Sequence, residues 1–378
     1  MEKIRLGIIG GGQLGKMMAQ VAQRLGFSVW VLDPYEKCPA SFVADHTIVG
    51  SFHDEAAIRE LARHCTLTTY DIEHISTEAI KKIENEGHRF APSPDLLALI
   101  QDKGRQKEFL ARCGIPMPRF ALYDTLEREA LRRFGFPCIQ KARKGGYDGK
   151  GVLTIRGEED LKGAFPENFL VEERVSIEKE LGIMVARNQR GEVVTYPLTE
   201  MVFDERAHIC DMVLAPARVS SQVEKEAREI AIACVEALQG VGIFGVELFL
   251  STDGRLLYNE IAPRPHNSGH YTIEACETSQ FEQHIRAVLN LPLGSPRLLA
   301  PAVMFNLLGE VGHEGPAVVE GFEEALSIPG LAFHFYRKPV TKPFRKMGHV
   351  TITAQTVEEA LEKAQAIRSK IRIVSEAL

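Results

Sequence analysis

The 378-residue chain has one tryptophan, seven cysteines and no excess of positive charge. None of the cysteines forms a Cys-x-x-Cys pair, and the two closest are Cys210 and Cys234. An odd count at such spacing suggests neither a zinc site nor a disulfide framework. Reduced, buried thiols in a cytosolic protein are the expectation. No run of about 18 apolar residues occurs, which excludes a membrane-spanning helix. Residues 1–9 read as a short charged-then-apolar strand rather than a targeting segment. The net charge of −6 argues against a general nucleic-acid binder and leaves room for local cationic sites. What is present is ordinary for a globular protein, with 45% hydrophobic and 25% charged residues. At about 150 residues per domain, the length suggests two or three domains.

Along the first hundred residues, apolar runs alternate with helical spacing. Runs at 4–9, 28–32, 47–49 and 66–70 read as strands, and 13–25, 55–63 and 76–86 as helices. That alternation predicts a parallel sheet covered on both faces. A helix is expected over 96–113, followed by the proline-broken connector 114–118. Short strands then dominate, at 138–142, 151–155, 169–173, 180–186 and 193–196. A long helix at 221–238 precedes a hairpin. A third segment starts near Pro301 and holds several short strands and one helix at 357–370. The fold class is therefore α/β followed by α+β, in three units spanning 1–100, 101–300 and 301–378.

Two glycine-rich loops stand out. The first, Gly10-Gly11-Gly12-Gln13-Leu14-Gly15, satisfies G-x-G-x-x-G between a strand and a helix, where free N–H groups favour an anion. Asp33 follows the second strand, about where a ribose-binding acid would sit. Three readings fit: a dinucleotide loop, a tight turn only, or a loop for some other phosphate. The second loop runs from Lys141 to Gly151, with Gly145, Gly146, Gly149 and Gly151 beside Lys141, Arg143, Lys144 and Lys150. Successive N–H groups there form a concave nest and the cations neutralise polyphosphate. The Gly-Lys-Ser/Thr pattern of a P-loop is absent.

Asp253-Gly254 is a two-residue hairpin signal between runs 244–250 and 255–260. With that turn, Thr252 pairs with Arg255 and Glu247 lies opposite Glu260. Like charges so placed destabilise a sheet. A Mg²⁺ ion held by one or two carboxylates and nucleotide phosphates relieves this, with Asn259 offering one more oxygen. The run that follows, from Ile261 to His270, is broken by Pro263 and Pro265. It carries Arg264, His266, Asn267, Ser268 and His270, donors suited to an oxyanion or hydroxyls. For His270 a buried structural role is equally open.

These motifs together resemble the ATP-grasp ligases, and within them the 5-(carboxyamino)imidazole ribonucleotide synthase family. The resemblance rests on residues 10–15, 141–151 and 259–270, extended by 279–284 and 345–349, and covers nearly the whole chain. The run at 266–270 is its most specific part. It implies an ATP-grasp fold with a Rossmann-like pre-ATP-grasp domain before it and a small C-terminal domain after it. The implied reaction is ATP-dependent carboxylation of 5-aminoimidazole ribonucleotide by bicarbonate, through carboxyphosphate, in purine biosynthesis.

The resemblance also assigns residues. Lys103 stands where members usually have an arginine on the ATP phosphates. Lys141 corresponds to the ATP lysine, and Gly146, Tyr147, Asp148, Gly149, Lys150, Gly151 and Val152 to the flap over the phosphates. Glu172, Glu173, Arg174 and Val175 match the adenine hinge, and Glu180 the ribose acid. Asn259 completes the nucleotide site, with Glu247 and Glu260 as Mg²⁺ ligands. Tyr147, Asp148, Arg264, Lys338, Arg345 and Lys346 would act on the ribonucleotide and bicarbonate. Gln13, Glu73, His266, Asn267 and Ser268 would line the substrate side. The first glycine loop then binds no dinucleotide. A homodimer in the cytoplasm, with no nucleic-acid or membrane partner, is implied.

Some positions depart from the family pattern. Phe203 replaces a histidine, with His208 as a possible substitute for it. Phe344 stands in place of a glycine, and Lys342 in place of an arginine. Competing readings are a formate-dependent glycinamide ribonucleotide transformylase, a biotin carboxylase-like ligase, and a nicotinamide-dependent dehydrogenase built on the first loop. The last leaves the second loop and the facing glutamates unexplained.

Overall fold

The computed structural model describes residues 4–146, 151–204 and 209–376. The first unit is a four-stranded parallel sheet in the order His46–Val49, Ser28–Asp33, Arg5–Ile9, Leu67–Tyr70. Successive residues of its strands feed opposite cores. Leu6, Ile8, Val29 and Val31 pack with Leu14, Met17 and Met18 of helix Gln13–Arg24. Ile9, Leu32 and Tyr70 pack with Ile58, Leu61, Ile80 and Ile83 on the other face. Burial on both faces is what a crossover-linked parallel sheet requires.

The helix expected over 96–113 is two helices, Pro94–Ile100 and Lys103–Arg112. Asp102 breaks it. Its carboxylate accepts the Gly104 and Arg105 N–H groups and caps a new helix start. The same carboxylate takes a bidentate pair from Arg143, at 3.0 and 2.8 Å. The break therefore pins Lys103, the first helical residue, beside the root of the second glycine loop.

Of the three antiparallel sheets that follow among the described residues, two build the site. The smaller has the order Phe120–Thr125, Glu167–Glu173, Cys138–Ala142, Val152–Ile155. The larger begins with Leu256–Ala262, Gly242–Ser251, Ile177–Arg187, Thr199–Asp204 and Ile209–Ala215. It continues without a gap into Ala302–Leu308, Lys346–Thr353 and Leu331–Phe335. Strands from the middle and last thirds of the chain thus share one hydrogen-bonded surface. The first unit is joined as firmly. Phe281, Ile285 and Val288 of helix Gln280–Val288 enter the core of helix Gln13–Arg24. His284 between them bonds Thr69 Oγ1 at 2.7 Å and accepts the Ile243 N–H at 3.1 Å. Burial pushes its imidazole down to about 3, so it is neutral.

The hairpin departs from the two-residue turn. Ser251, not Thr252, pairs with Arg255, and Thr252-Asp253-Gly254 forms the loop with Gly254 at φ +82°. Gly254 supplies the left-handed residue that a three-residue hairpin needs. The offset is undone by a bulge. Leu248 faces Tyr258 while Glu247 faces Glu260, so Asn259 is the extra residue. All seven cysteines are free, and Cys113 is exposed rather than buried. Among the described residues, no helix is long and apolar enough to cross a membrane.

Candidate active site

Glu247 also faces Gly182 on the neighbouring strand, and Glu180 lies two residues along from Gly182. Period-two alternation puts Glu180, Glu247 and Glu260 on one face of the large sheet. The bulge brings Asn259 to that face too. Its amide donates to Glu247 Oε2 at 3.2 Å and accepts Lys141 Nζ at 3.0 Å. Lys103 Nζ sits 2.5 Å from Glu260 Oε2, and His266 Nε2 sits 3.3 Å from Glu247 Oε1. Burial, the facing Glu260 and then Glu180 push the Glu247 carboxyl well above its usual range. Burial also pushes Glu260 up, but Lys103 overrides this and holds it ionised.

A divalent cation fits this donor set. Two carboxylates and one amide oxygen supply hard oxygen ligands, and the raised Glu247 marks a charge conflict that a cation resolves. Among the described residues no cluster of three or more His, Cys, Asp or Glu could hold an ion alone. Any Mg²⁺ there must complete its shell with phosphate and water oxygens.

The small sheet closes the other wall with a charge trio that the sequence reading did not find. Glu172 is 2% exposed and pairs with Lys107 at 2.6 Å and Lys141 at 2.7 Å. Lys107 is itself buried, and its ammonium lies 5.3 Å from the Tyr258 ring centre. Burial lowers Lys107 to about 8 against the pull of Glu172. Burial pushes Glu172 up, but Lys141 and Lys107 together bring it down to about 2. The Glu172 side chain is therefore engaged by two lysines. Glu173, Arg174 and Val175 continue out of that strand, and Glu173 accepts the Arg119 N–H at 3.2 Å. Glu180 is pushed up to about 7 by burial, partly offset by Lys141. Gly146, Gly151 and Val152 flank the loop between the strands of Lys141 and Val152. Tyr147, Asp148, Gly149 and Lys150, like His208, lie outside the described residues.

Residues 264–270 lie down on the large sheet because two strand positions lack a side chain. A Cβ on Gly182 would come within 2.9 Å of Ser268, and one on Gly245 within 2.5 Å of His266 Cβ. Ser268 is buried beneath His266, with its hydroxyl 2.9 Å from Nδ1, so it positions that ring rather than lining an open surface. Arg264 pairs with Glu73 at 2.8 Å, linking this loop to the first unit. His270 is buried, bonded to Gln280 Nε2 at 3.0 Å and packed 4.8 Å from the His349 ring. Burial depresses both imidazoles well below their usual range, which selects the structural role for His270.

The first glycine loop faces acids. Asp33 accepts the Gly11 N–H at 2.8 Å and the Tyr35 N–H at 2.9 Å. Asp71 sits against Gly10, Gly12 and Gly15, and burial raises it to about 6 against the Gly15 N–H, Arg264 and Lys338. A loop whose donors meet two carboxylates repels a pyrophosphate, so the dinucleotide reading is excluded. Gln13 opens the helix after this loop and is half-buried.

Among the C-terminal cations, Lys338 Nζ donates to the Lys346 carbonyl at 2.7 Å. Burial raises the Cys210 thiol and lowers His270, and the charge of Lys346 adds to the lowering of His270 and opposes the rise of Cys210. Arg345 is held on the Val340 carbonyl at 2.6 Å and is not brought to the carboxylates. Phe203 packs on the core under Met201 and Cys210.

The sequence matches family models in three stretches. Residues 1–101 match the ribonucleotide synthetase preATP-grasp domain, and residues 108–281 the ATP-grasp domain. Residues 302–363 match the phosphoribosylaminoimidazole carboxylase C-terminal domain. The N5-carboxyaminoimidazole ribonucleotide synthase of Synechococcus elongatus is 39% identical over 98% of this chain and 95% of its own. The chloroplastic phosphoribosylaminoimidazole carboxylase of Vigna aconitifolia is 40% identical over 94% of this chain, which spans 65% of that relative's length. The crystal structure of N5-carboxyaminoimidazole ribonucleotide synthetase from Thermotoga maritima has a TM-score of 0.92 at 54% identity, covering 99% of this chain and 100% of that one. The Aspergillus clavatus synthase, solved with ADP and 5-aminoimidazole ribonucleotide, has a TM-score of 0.88 at 35% identity, covering 97% and 98%. On this agreement of sequence and structure along nearly its whole length, the chain belongs to the N5-carboxyaminoimidazole ribonucleotide synthase family of ATP-grasp ligases.

Proposed function

We propose that the chain carboxylates the exocyclic amine of 5-aminoimidazole ribonucleotide with bicarbonate. It couples this to ATP cleavage and yields N5-carboxyaminoimidazole ribonucleotide, ADP and phosphate for purine biosynthesis. The observation that carries the reading is the convergence of Glu247, Glu260, Lys103 and Lys141 between two sheets, next to the loop of Arg264 and Asn267. Nucleotide phosphates fit the first group and a small anion with hydroxyls fits the second.

A bicarbonate oxygen attacks the γ-phosphorus of ATP and the bond to the ADP oxygen breaks, leaving carboxyphosphate. The amine nitrogen then bonds to the carboxyl carbon, either of carboxyphosphate or of the CO2 it releases, and gives up a proton as phosphate departs. Phosphoryl transfer of this kind needs positioning and charge neutralisation more than covalent help. Lys103 and Lys141 bear on the phosphates, Glu180 accepts the ribose hydroxyls, and the hinge backbone after Glu172 reads adenine. Arg264, steered by Glu73, holds the anionic co-substrate, with Lys338 and Lys346 completing the positive wall. Mg²⁺ would be held by Glu247 and Glu260 and would neutralise charge on the phosphates. We assign the active form to a cytoplasmic homodimer on the family resemblance, and sedimentation of the purified protein tests the dimer.

The deciding experiment is ADP release by purified protein with ATP, Mg²⁺ and bicarbonate. Release that depends on 5-aminoimidazole ribonucleotide supports the assignment. Release that needs formate and glycinamide ribonucleotide, or biotin, instead overturns it.

A further inference from the structure

Asn306 lies in the strand Ala302–Leu308, whose other residues are apolar, and it is 4% exposed. A buried amide costs free energy unless its groups are bonded. Here every inward bond goes to two partners. Asn306 Nδ2 donates to the Cys210 carbonyl at 2.7 Å and to Asn267 Oδ1 at 2.8 Å. Asn267 Nδ2 donates back to Asn306 Oδ1 at 2.9 Å. The two side-chain amides thus form a reciprocal pair, closed like a base pair.

Amide orientation is ordinarily ambiguous, because oxygen and nitrogen can exchange places. This network removes the ambiguity. The Cys210 carbonyl can only accept, so it fixes which end of the Asn306 amide is nitrogen. With both Nδ2 hydrogens of Asn306 engaged, its oxygen must face Asn267 Nδ2. Asn267 is then left showing one N–H and one oxygen lone pair, each in a set position. Asn267 sits directly after His266, whose ring stands beside Glu247. Asn306 also faces His349 in the strand register, which packs against His270 of the same loop.

We propose that Asn306 is a positioning residue for the ribonucleotide. It transmits the polarity of the Cys210 carbonyl to the amide of Asn267 and so sets which donor and acceptor the substrate meets. The inference rests on the reading of Asn267 as a substrate contact. It explains why a strand of the C-terminal segment carries one amide among apolar residues.

The test is steady-state ADP release by the full chain carrying Asn306→Leu, Asn267→Ala, or both. Leu keeps the branched shape at a somewhat larger volume and suits the strand while removing all three bonds. Asn306→Leu is expected to raise KM for 5-aminoimidazole ribonucleotide about ten-fold, the loss of one to two net hydrogen bonds. KM for ATP should stay within about two-fold, and the double variant should be no worse than Asn267→Ala alone. Equal rises in both KM values, additive effects in the double variant, or no change would overturn the proposal. If Asn306→Leu does not fold, Asn306→Ser is measured by the same criteria. An unsubstituted enzyme that turns over without ribonucleotide sinks the functional assignment and this inference with it. Normal turnover with additive variants sinks the inference alone.

Discussion

Glu247 faces Glu260 across the hairpin, and each carboxylate has a different neighbour, His266 at 3.3 Å for the first and Lys103 at 2.5 Å for the second. The like-charge pair is an unfavourable cross-strand contact that only a bound cation turns to use. Chelating Mg²⁺ should abolish ADP release reversibly. Glu260→Ala should lower kcat by roughly two to three orders of magnitude, the scale of lost metal stabilisation of the transferring phosphoryl group. In chelator, Glu247→Gln should raise the thermal midpoint slightly, because the repulsion is gone. A lowered midpoint would count against the pairing.

Glu180 gives the site a pH dependence whose sign follows from burial. Its folded-state value of about 7 lies above the ordinary 4.5. The folded protein therefore binds the extra proton between those values. The associated stability is complete below about 4.5 and lost as the pH rises through 7. Denaturant midpoints between pH 5 and 7.5 should fall less steeply in Glu180→Gln. Ribose hydroxyls favour the ionised carboxylate, so ADP binding near pH 6.5 should release protons. Calorimetry in buffers of differing ionisation heat reads this directly, and Glu180→Gln should lose the release.

Lys107 is expected to matter without touching a phosphate. Lys107→Met leaves the buried Glu172 with Lys141 as its one remaining ion-pair partner among the described contacts. Losing one charge-assisted bond while Lys141 still neutralises Glu172 costs about 1.5–3 kcal/mol. Urea unfolding should show that loss, and KM for ATP should rise because Lys141 is drawn further toward Glu172. Unchanged stability would mean that Glu172 does not depend on Lys107.

Phe344 adopts φ +63° and is 38% exposed. A left-handed backbone costs an L-residue about 1 kcal/mol, and relatives by resemblance carry glycine at this position. Phe344→Gly should therefore stabilise the protein by a few tenths to about 1 kcal/mol, less the flexibility that glycine adds to the unfolded chain. Phe344→Ala, which keeps the Cβ, should not. Differential scanning calorimetry of the two variants separates backbone strain from loss of the ring.

Much of this site was legible in the sequence, for reasons of period and charge. Alternation along 244–250 and 255–260 was enough to place two glutamates opposite one another. That pairing survives although the turn is one residue longer than expected, because the bulge at Asn259 cancels the shift. Nothing in local sequence marks a bulge, so the aim of Asn259 toward Glu247 could be read only from the structure. Lys107 was missed because a lone lysine in a helix reads as a solvated face. The available signal was its position four residues after Lys103, which puts both ammonium groups on one side. Asp102 was missed as a helix break because the apolar spacing runs on through it, and its second partner, Arg143, comes from the root of the second glycine loop. Ser268 and Arg345 show what sequence alone leaves unordered. Donors crowded into a motif look equivalent in sequence, whereas packing sends one beneath a ring and another to a backbone carbonyl.

The pairing of Ile209–Ala215 with Ala302–Leu308 has a consequence for how this protein can be cut. A fragment ending near residue 300 would present Ile209–Ala215 as a naked apolar edge, with a row of unanswered backbone donors and acceptors. Such an edge recruits strands from other molecules. The C-terminal segment is therefore not a module that can be trimmed away or exchanged at its linker. It acts as the seal on the sheet that carries the carboxylates, and truncation should yield aggregates before it yields a slower enzyme.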